Sequence, residues 1–462
     1  DTGLVPDIAE SWEVSDGGKR YAFHLRPDAR WTNGESLTSE DFAYAWKRCL
    51  VPGGGSPLAA LLYDIRGARP YHQGELPDEA GLGIHTPDPH TLQVELVNPA
   101  NYFLSILANP VSFPVPKKVV ETHGDAWADP EHIVTNGPYR LASWTRGELM
   151  VLERWAGFHG AFPGNAERLD IMLYLGEASD TLDDYVNSRL DILNLTNTSI
   201  EAHLSARQQF AGEYVSIPTL STWFVQFDFR RPPFDDRRVR LALAQATDRE
   251  LLADVALRGL QFPATGSFVP PGMPGYSREP VLPHDPEGAR RLLEQAGFPG
   301  GKGFPALDLR APSSWMGSNM ARALARQWQE TLGIALGVQV MDWQAFIASF
   351  LEDLPQLSLL GWWADYPDPY NFLYMEGISW WLGNPWRHER YERLVQNARG
   401  TADREERVEY YRQAERILAE EVPLFPLLYG RMHFLLKPWI SSFPTSPIKH
   451  WFFKEVVIDP HE

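Results

Sequence analysis

The stretch with most chemical potential is Leu360-Gly361-Trp362-Trp363-Ala364-Asp365-Tyr366-Pro367-Asp368-Pro369. A carboxylate, Asp365, follows two adjacent tryptophans and enters a proline-bounded turn. Set between indoles, such a group lies in low local dielectric and can neutralise a ligand ammonium. The same residues admit a plainer reading, with Asp365 capping a turn and Trp362 and Trp363 in the core, because Asp is a common turn residue. Seventeen tryptophans in the chain fit a protein that lays aromatic surfaces against a ligand.

Other chemistries lack their residues. Gly53-Gly54-Gly55 has no lysine to complete a phosphate loop, and Gly300-Gly301-Lys302-Gly303 follows a helical pattern where a phosphate cradle opens one. The 13 histidines are scattered, and none forms the helical pair with a glutamate that binds zinc in metalloproteases. Gly-x-Ser-x-Gly is absent. The acid pairs Asp183-Asp184 and Glu405-Glu406 read as solvated helix faces, since glycosidase carboxylates come from separate segments. Cys49, the single cysteine, permits neither an intrachain disulfide nor a cysteine-built metal site, and its place on an apolar stripe reads as core. A net charge of −18 argues against nucleic acid and anionic membrane surfaces as partners. The sequence therefore gives no reason to expect an enzyme, a cofactor or a metal.

The elements that must position Asp365 follow from periodicity. Leu357 to Trp363 is apolar except for Ser358, as in a buried strand of a parallel sheet. Pro367 and Pro369 end it, so Asp365 falls at or just past the strand's carboxyl end, the edge where open α/β sheets bind ligands. Upstream, Pro6 to Ser11 reads as a helix or turn, and Tyr21, Phe23 and Leu25 alternate as a strand. Thr38 and Asp41 form a capping box before a helix through Cys49. Strands are expected at 139–144, 149–153, 168–175, 190–195, 223–229, 306–311, 338–341 and 424–429. Between them lie helices at 179–188, 237–246, 285–296, 318–332, 343–351, 389–397 and 403–420, two of them capped at their starts by Asp236 and Asp285. The alternation is α/β. At 462 residues about two or three domains are expected, and with no flexible linker they must meet through crossing strands. The opening Asp1-Thr2-Gly3-Leu4-Val5-Pro6 is neither a signal peptide nor an initiator, which reads as a processed or cut chain.

An ordered set of segments resembles the bacterial solute-binding proteins that feed oligopeptides and dipeptides to ABC importers. It comprises Pro6 to Trp12, Tyr21 to Trp31, Asn33-Gly34 with Leu37 to Phe42, Thr135 to Tyr139, Pro232 to Leu243 with Asp248-Arg249, Ala289 to Phe298, and Gly361 to Pro369. The resemblance covers essentially the whole chain and implies a two-lobed type II periplasmic-binding-protein fold with an extra domain. On that pattern residues 1–134 form the extra domain, 135–238 with 431–462 form lobe I, and 239–430 form the lobe carrying the Asp365 segment. Lobe I would be incomplete, because the family's first segment precedes Asp1, and a sheet lacking a strand exposes an edge.

The resemblance further implies a non-catalytic protein that captures peptide, or another aminated ligand, and docks on an ABC permease. It would be a periplasmic or lipid-anchored monomer. Asp365 takes the position that pairs with the ligand's α-amino group, and Trp363 the position where backbone groups meet the peptide main chain. Trp362 stands beside them, and Trp343 matches a pocket-side tryptophan. Trp380 and Trp381 either stack on ligand or pack in the core. The basic residues that hold a peptide's carboxylate are replaced by Leu359, Phe350, Leu351 and Gly317. An oligosaccharide binder and a ligand-sensing regulatory domain are the alternatives on the same fold.

Overall fold

The computed structural model describes residues 3–54, 56–173, 178–196, 198–278, 282–374 and 386–461. It divides into two compact units, Asp1–Thr181 with Lys437–Glu462, and Leu182–Leu436.

The first unit opens with β1 (Ala9–Ser15), β2 (Arg20–Leu25), β3 (Ile84–Asp88) and β4 (Thr91–Glu95), an antiparallel sheet in the order β1-β2-β4-β3. The alternation of β2 buries Tyr21, Phe23 and Leu25, and the first two lie opposite Val94 and Leu92. The helix Ser39–Leu50 starts where the Thr38 N–H donates to Asp41 Oδ2 at 2.9 Å. Its Trp46 is buried, with the indole N–H donating to the Ser112 carbonyl at 2.9 Å. A three-stranded antiparallel sheet follows, β5 (Tyr139–Thr145), β6 (Leu149–Arg154) and β7 (Arg168–Met172). Two readings change here. Residues 9–11 belong to β1, because Trp12 pairs across to Phe23 and draws the preceding residues into the ladder. Cys49 is half-buried, its thiol 3.1 Å from the Ser56 hydroxyl, so it edges the core.

The second unit is built on one mixed sheet. Its strands are β8 (Ile192–Asn194), β9 (Tyr214–Phe227), β10 (Phe262–Pro263), β11 (Asp308–Pro312), β12 (Gly337–Met341), β13 (Leu357–Trp363) and β14 (Leu424–Leu436). The order is β10-β14-β9-β13-β11-β12, with β8 on the far half of β14. A short ribbon, β15 (Ile440–Ser442) with β16 (Val457–Ile458), returns to the first unit. β13 is parallel to β11 and antiparallel to β9, so the expected buried strand is present in a mixed sheet. Helices cover it: Arg237–Ala246, Pro286–Gln295 and Trp315–Leu332 bury Leu243, Leu293, Leu324 and Trp328 against Phe227, Leu357 and Leu359. Trp328 is fully enclosed, and its indole N–H donates to the Leu243 carbonyl and Thr247 Oγ1 at 3.1 and 3.0 Å. That helix ends at Gly333 in the left-handed region, φ 74°, where a side chain would run into the Gly300 carbonyl.

β9 and β14 are each far longer than their apolar runs. Their near halves join the large core, and their far halves join a smaller one made by Tyr185, Leu193, Leu195, Ala206 and Leu435. The register between them slips at Pro426/Leu428 and Tyr429/Arg431, so two bulged strands carry the chain between two cores. The arginines after Asp236 hold the start of their helix in two ways. Arg238 alone pairs with the Asp236 carboxylate, whereas Arg237 and Arg240 donate to the backbone carbonyls of Glu420, Glu421, Val422 and Phe234.

Candidate functional site

β13 delivers the site. Leu357 to Leu360 are buried, and Gly361, Trp362 and Trp363 emerge half-buried at its carboxyl end. Gly361 lies opposite Trp223 of β9, two residues before Trp363 on the same face. A Cβ at 361 would meet Trp363 at 2.9 Å and Trp223 at 3.0 Å, so glycine makes room for both indoles. Their rings pack edge to face, centroids 5.4 Å apart. Trp363 is thus packed onto the large core. The ladder runs one residue further, with the Ala364 N–H donating to the Leu220 carbonyl at 2.8 Å, and Asp365 comes next.

Asp365 is half-buried and tied to Asn371. The Asn371 Oδ1 accepts from the Trp362 indole N–H and from the Asp365 backbone N–H, both at 3.0 Å. The Asn371 Nδ2 donates to Asp365 Oδ2 at 3.1 Å. Burial raises the Asp365 pKa above the ordinary carboxylate value, and the Asn371 hydrogen bond partly opposes the rise. A group in this condition gains from a neighbouring cation, because attraction is strong where water is excluded.

The rest of the turn is scaffold. Asp368 is buried at 5% exposure; its carboxylate forms an ion pair with Arg407 and accepts from the Tyr411 hydroxyl at 3.1 Å and the Tyr370 N–H at 2.9 Å. Arg407 and Tyr411 lie on the helix Arg404–Glu421, and the guanidinium stands 5.6 Å from the Tyr411 ring centroid. Burial pushes the Tyr411 hydroxyl up to about 12. The short helix Tyr370–Leu373 that carries Asn371 is pinned at its end, where the Tyr391 hydroxyl donates to the Leu373 carbonyl at 2.6 Å.

Of the sequence-derived candidates, the structure brings together Asp365 and Trp362 through Asn371, with Trp363 on the adjoining core. Trp343 begins the helix Trp343–Glu352, is 57% exposed, and leans towards Phe346 at 6.0 Å. Trp380 and Trp381 lie outside the described residues. At the positions expected to handle a ligand carboxylate, Leu359 and Phe350 are buried and Leu351 is exposed. Asn371 was not anticipated from the sequence; the only signal was an amide at a distance from Asp365 that a proline-closed turn can bring back. Two described cavities lie elsewhere in this unit. One of about 20 Å³ is lined by Arg249 and Glu415, and one of about 420 Å³ at the amino ends of β11 to β13 is lined by Arg231, Arg310 and Asp353.

The profile of the bacterial extracellular solute-binding proteins, family 5, matches residues 3–381. The chain belongs to that family. Among curated solute-binding relatives, the probable deoxycholate-binding periplasmic protein YgiS of Escherichia coli is 31% identical, over 99% of this chain and 86% of the relative. The periplasmic oligopeptide-binding protein OppA of Salmonella typhimurium is also 31% identical, over 99% and 85%. Among solved structures, Haemophilus influenzae OppA in complex with RPPGFSPFR superposes with TM-score 0.82 at 27% identity, covering 99% of this chain and 91% of that one. The murein tripeptide binding protein MppA of E. coli gives 0.83 at 27%, over 99% and 90%. The family 5 chain therefore has the type II periplasmic-binding-protein fold of these structures. Among its described residues no helix is long and apolar enough to cross a membrane.

Proposed function

We propose that this family 5 protein captures peptides by their α-amino end, outside the cytoplasm, and hands them to an ABC permease in the membrane. One observation carries the reading: Asp365, at the carboxyl end of β13, is a fixed carboxylate whose burial raises its pKa, so a ligand ammonium beside it relieves that cost. Relatives named for oligopeptide and murein-peptide binding support peptides as the ligand class. A binding protein, not an enzyme, is the role those names share.

In this reading Trp362 holds the anchor's amide partner in place, and Trp363 contributes main-chain groups to the peptide backbone. Trp343 lines the ligand pocket, and Trp380 and Trp381 stack on the ligand. Main-chain bonding supplies affinity and leaves side-chain choice broad. With Leu359, Phe350, Leu351 and Gly317 where peptide binders carry basic groups, selection acts on the amine end and tolerates long or blocked carboxyl ends. The lobes follow the family pattern, 1–134 as the extra domain, 135–238 with 431–462 as lobe I and 239–430 as the anchoring lobe. The protein acts as a monomer, held at the cell surface by lipid or free in the periplasm.

The 31% identity to a probable deoxycholate binder favours one rival, an apolar acid that needs no ammonium partner. Calorimetric titration of protein stripped of co-purified ligand decides between them. The expected result is stoichiometric binding of trialanine or a longer free-amine peptide and no heat from deoxycholate or cello-oligosaccharides. Binding of deoxycholate or sugar with silent peptides would contradict the proposal.

A further inference from the structure

We infer that Asn371 is the positioning residue of the anchor, fixing the direction of the Asp365 carboxylate and supplying the amide donor that favours its charged form. This rests on the reading that Asp365 meets a ligand ammonium.

The amide can face only one way. Both lone pairs of its Oδ1 are used, by the Trp362 indole N–H and the Asp365 backbone N–H, each at 3.0 Å. Turning the amide over would set its NH2 against two N–H donors. The NH2 is therefore directed to Asp365 Oδ2, 3.1 Å away. Asn371 is itself buried, at 8% exposure, so water does not compete freely for these bonds. Three pieces of chain meet on this one side chain: the end of β13 through Trp362, the turn through Asp365, and the helix Tyr370–Leu373 on which Asn371 sits. That helix cannot drift, because Asp368 receives the Tyr370 N–H and Tyr391 holds the Leu373 carbonyl.

The electrostatic consequence follows from geometry. Burial favours the protonated form of Asp365, and the hydrogen bond from Asn371 opposes it. Among the described residues of the turn, Asp368 is engaged with Arg407 and with the Tyr411 hydroxyl. Removing the Asn371 donor shifts the Asp365 pKa further upward, so the anchor loses its charge at a higher pH.

The test is affinity for trialanine as a function of pH, measured by calorimetry on the intact chain with Asn371→Asp, Asn371→Leu and Asp365→Asn. Asn371→Asp keeps the shape and the acceptors for both N–H groups, and replaces the donor by a second carboxylate that raises the Asp365 pKa by repulsion. It is expected to fold as the wild type does, and its affinity is expected to fall away at a higher pH on acidification. Asn371→Leu is expected to bind about 10-fold more weakly at neutral pH, the cost of one hydrogen bond to a charged group. Asp365→Asn is expected to be weak, with no pH-dependent step in this range. If Asp365→Asn weakens binding but Asn371→Asp keeps both the wild-type affinity and the wild-type pH profile, Asn371 is only structural and the inference is wrong. If Asp365→Asn itself binds like the wild type, the amine anchor fails and this inference fails with it.

Discussion

Asp365 and Asp368 share one turn and meet opposite environments. Asp368 is closed in by a cation, a phenol and a backbone N–H, two of them delivered by the helix Arg404–Glu421. Asp365 is oriented by the neutral amide of Asn371 and held in a setting that raises its pKa. On the proposed function, the carboxylate held in this rigid turn, with its pKa raised by burial, is the one that meets the ligand ammonium. The turn divides the work: Asp368 makes it rigid, and that rigidity lets Asp365 be placed. On the proposed function, side chains of one type, a few residues apart, serve structure and binding because their surroundings differ.

The largest effect should separate the two residues on stability. Asp368→Ala leaves the half-buried Arg407 without its counter-charge and is expected to cost about 3 kcal/mol in denaturant unfolding. Asp365→Ala should change stability by less than about 1 kcal/mol, since it removes a group whose burial opposes its charge. Equal losses would break the comparison. Comparable in size is affinity: Asp365→Ala should weaken a free-amine peptide by about 2–5 kcal/mol, the cost of removing one partner of a buried, hydrogen-bonded charge pair. The smallest effect lies in pH. A carboxylate whose folded pKa is raised contributes stability that is complete below its unfolded value and is lost as pH rises through the folded one. The stability of Asp365→Asn relative to the wild type is therefore expected to improve as pH rises above the ordinary carboxylate range. A difference independent of pH would show that Asp365 ionises freely.

Legibility in the sequence followed the range of the forces involved. β13 was readable because an apolar run is cut by Pro367 and Pro369, and the capped helix starts at Asp236 and Asp285 because a cap is a local bond. The amino half of β9 was not readable, since Ser216, Pro218, Thr219, Ser221 and Thr222 break any alternation; pairing with β14 holds it in the sheet. The helix Ile200–Gln209 is polar on most sides and gave no periodic signal, although His203 and Ala206 are buried. Residues 9–11 read as part of a helix or turn and became strand because a partner strand was present. At the site, the position of Asp365 was legible from strand and turn. The Asp368–Arg407 pair was not, because the two residues meet only through the tertiary fold. Trp363 illustrates the ambiguity of indoles: its ring packs on Trp223 and the core, as the plainer reading had it, while its strand position stays at the site.

The most direct measurement is a four-way calorimetric comparison of one peptide, with its amine free or N-acetylated, against the wild type and Asp365→Asn. If Asp365 is the counter-ion of the ligand's amine, acetylation sharply weakens binding to the wild type and makes little further difference to Asp365→Asn. An acetylation penalty of the same size in both proteins would place the amine elsewhere and contradict the account.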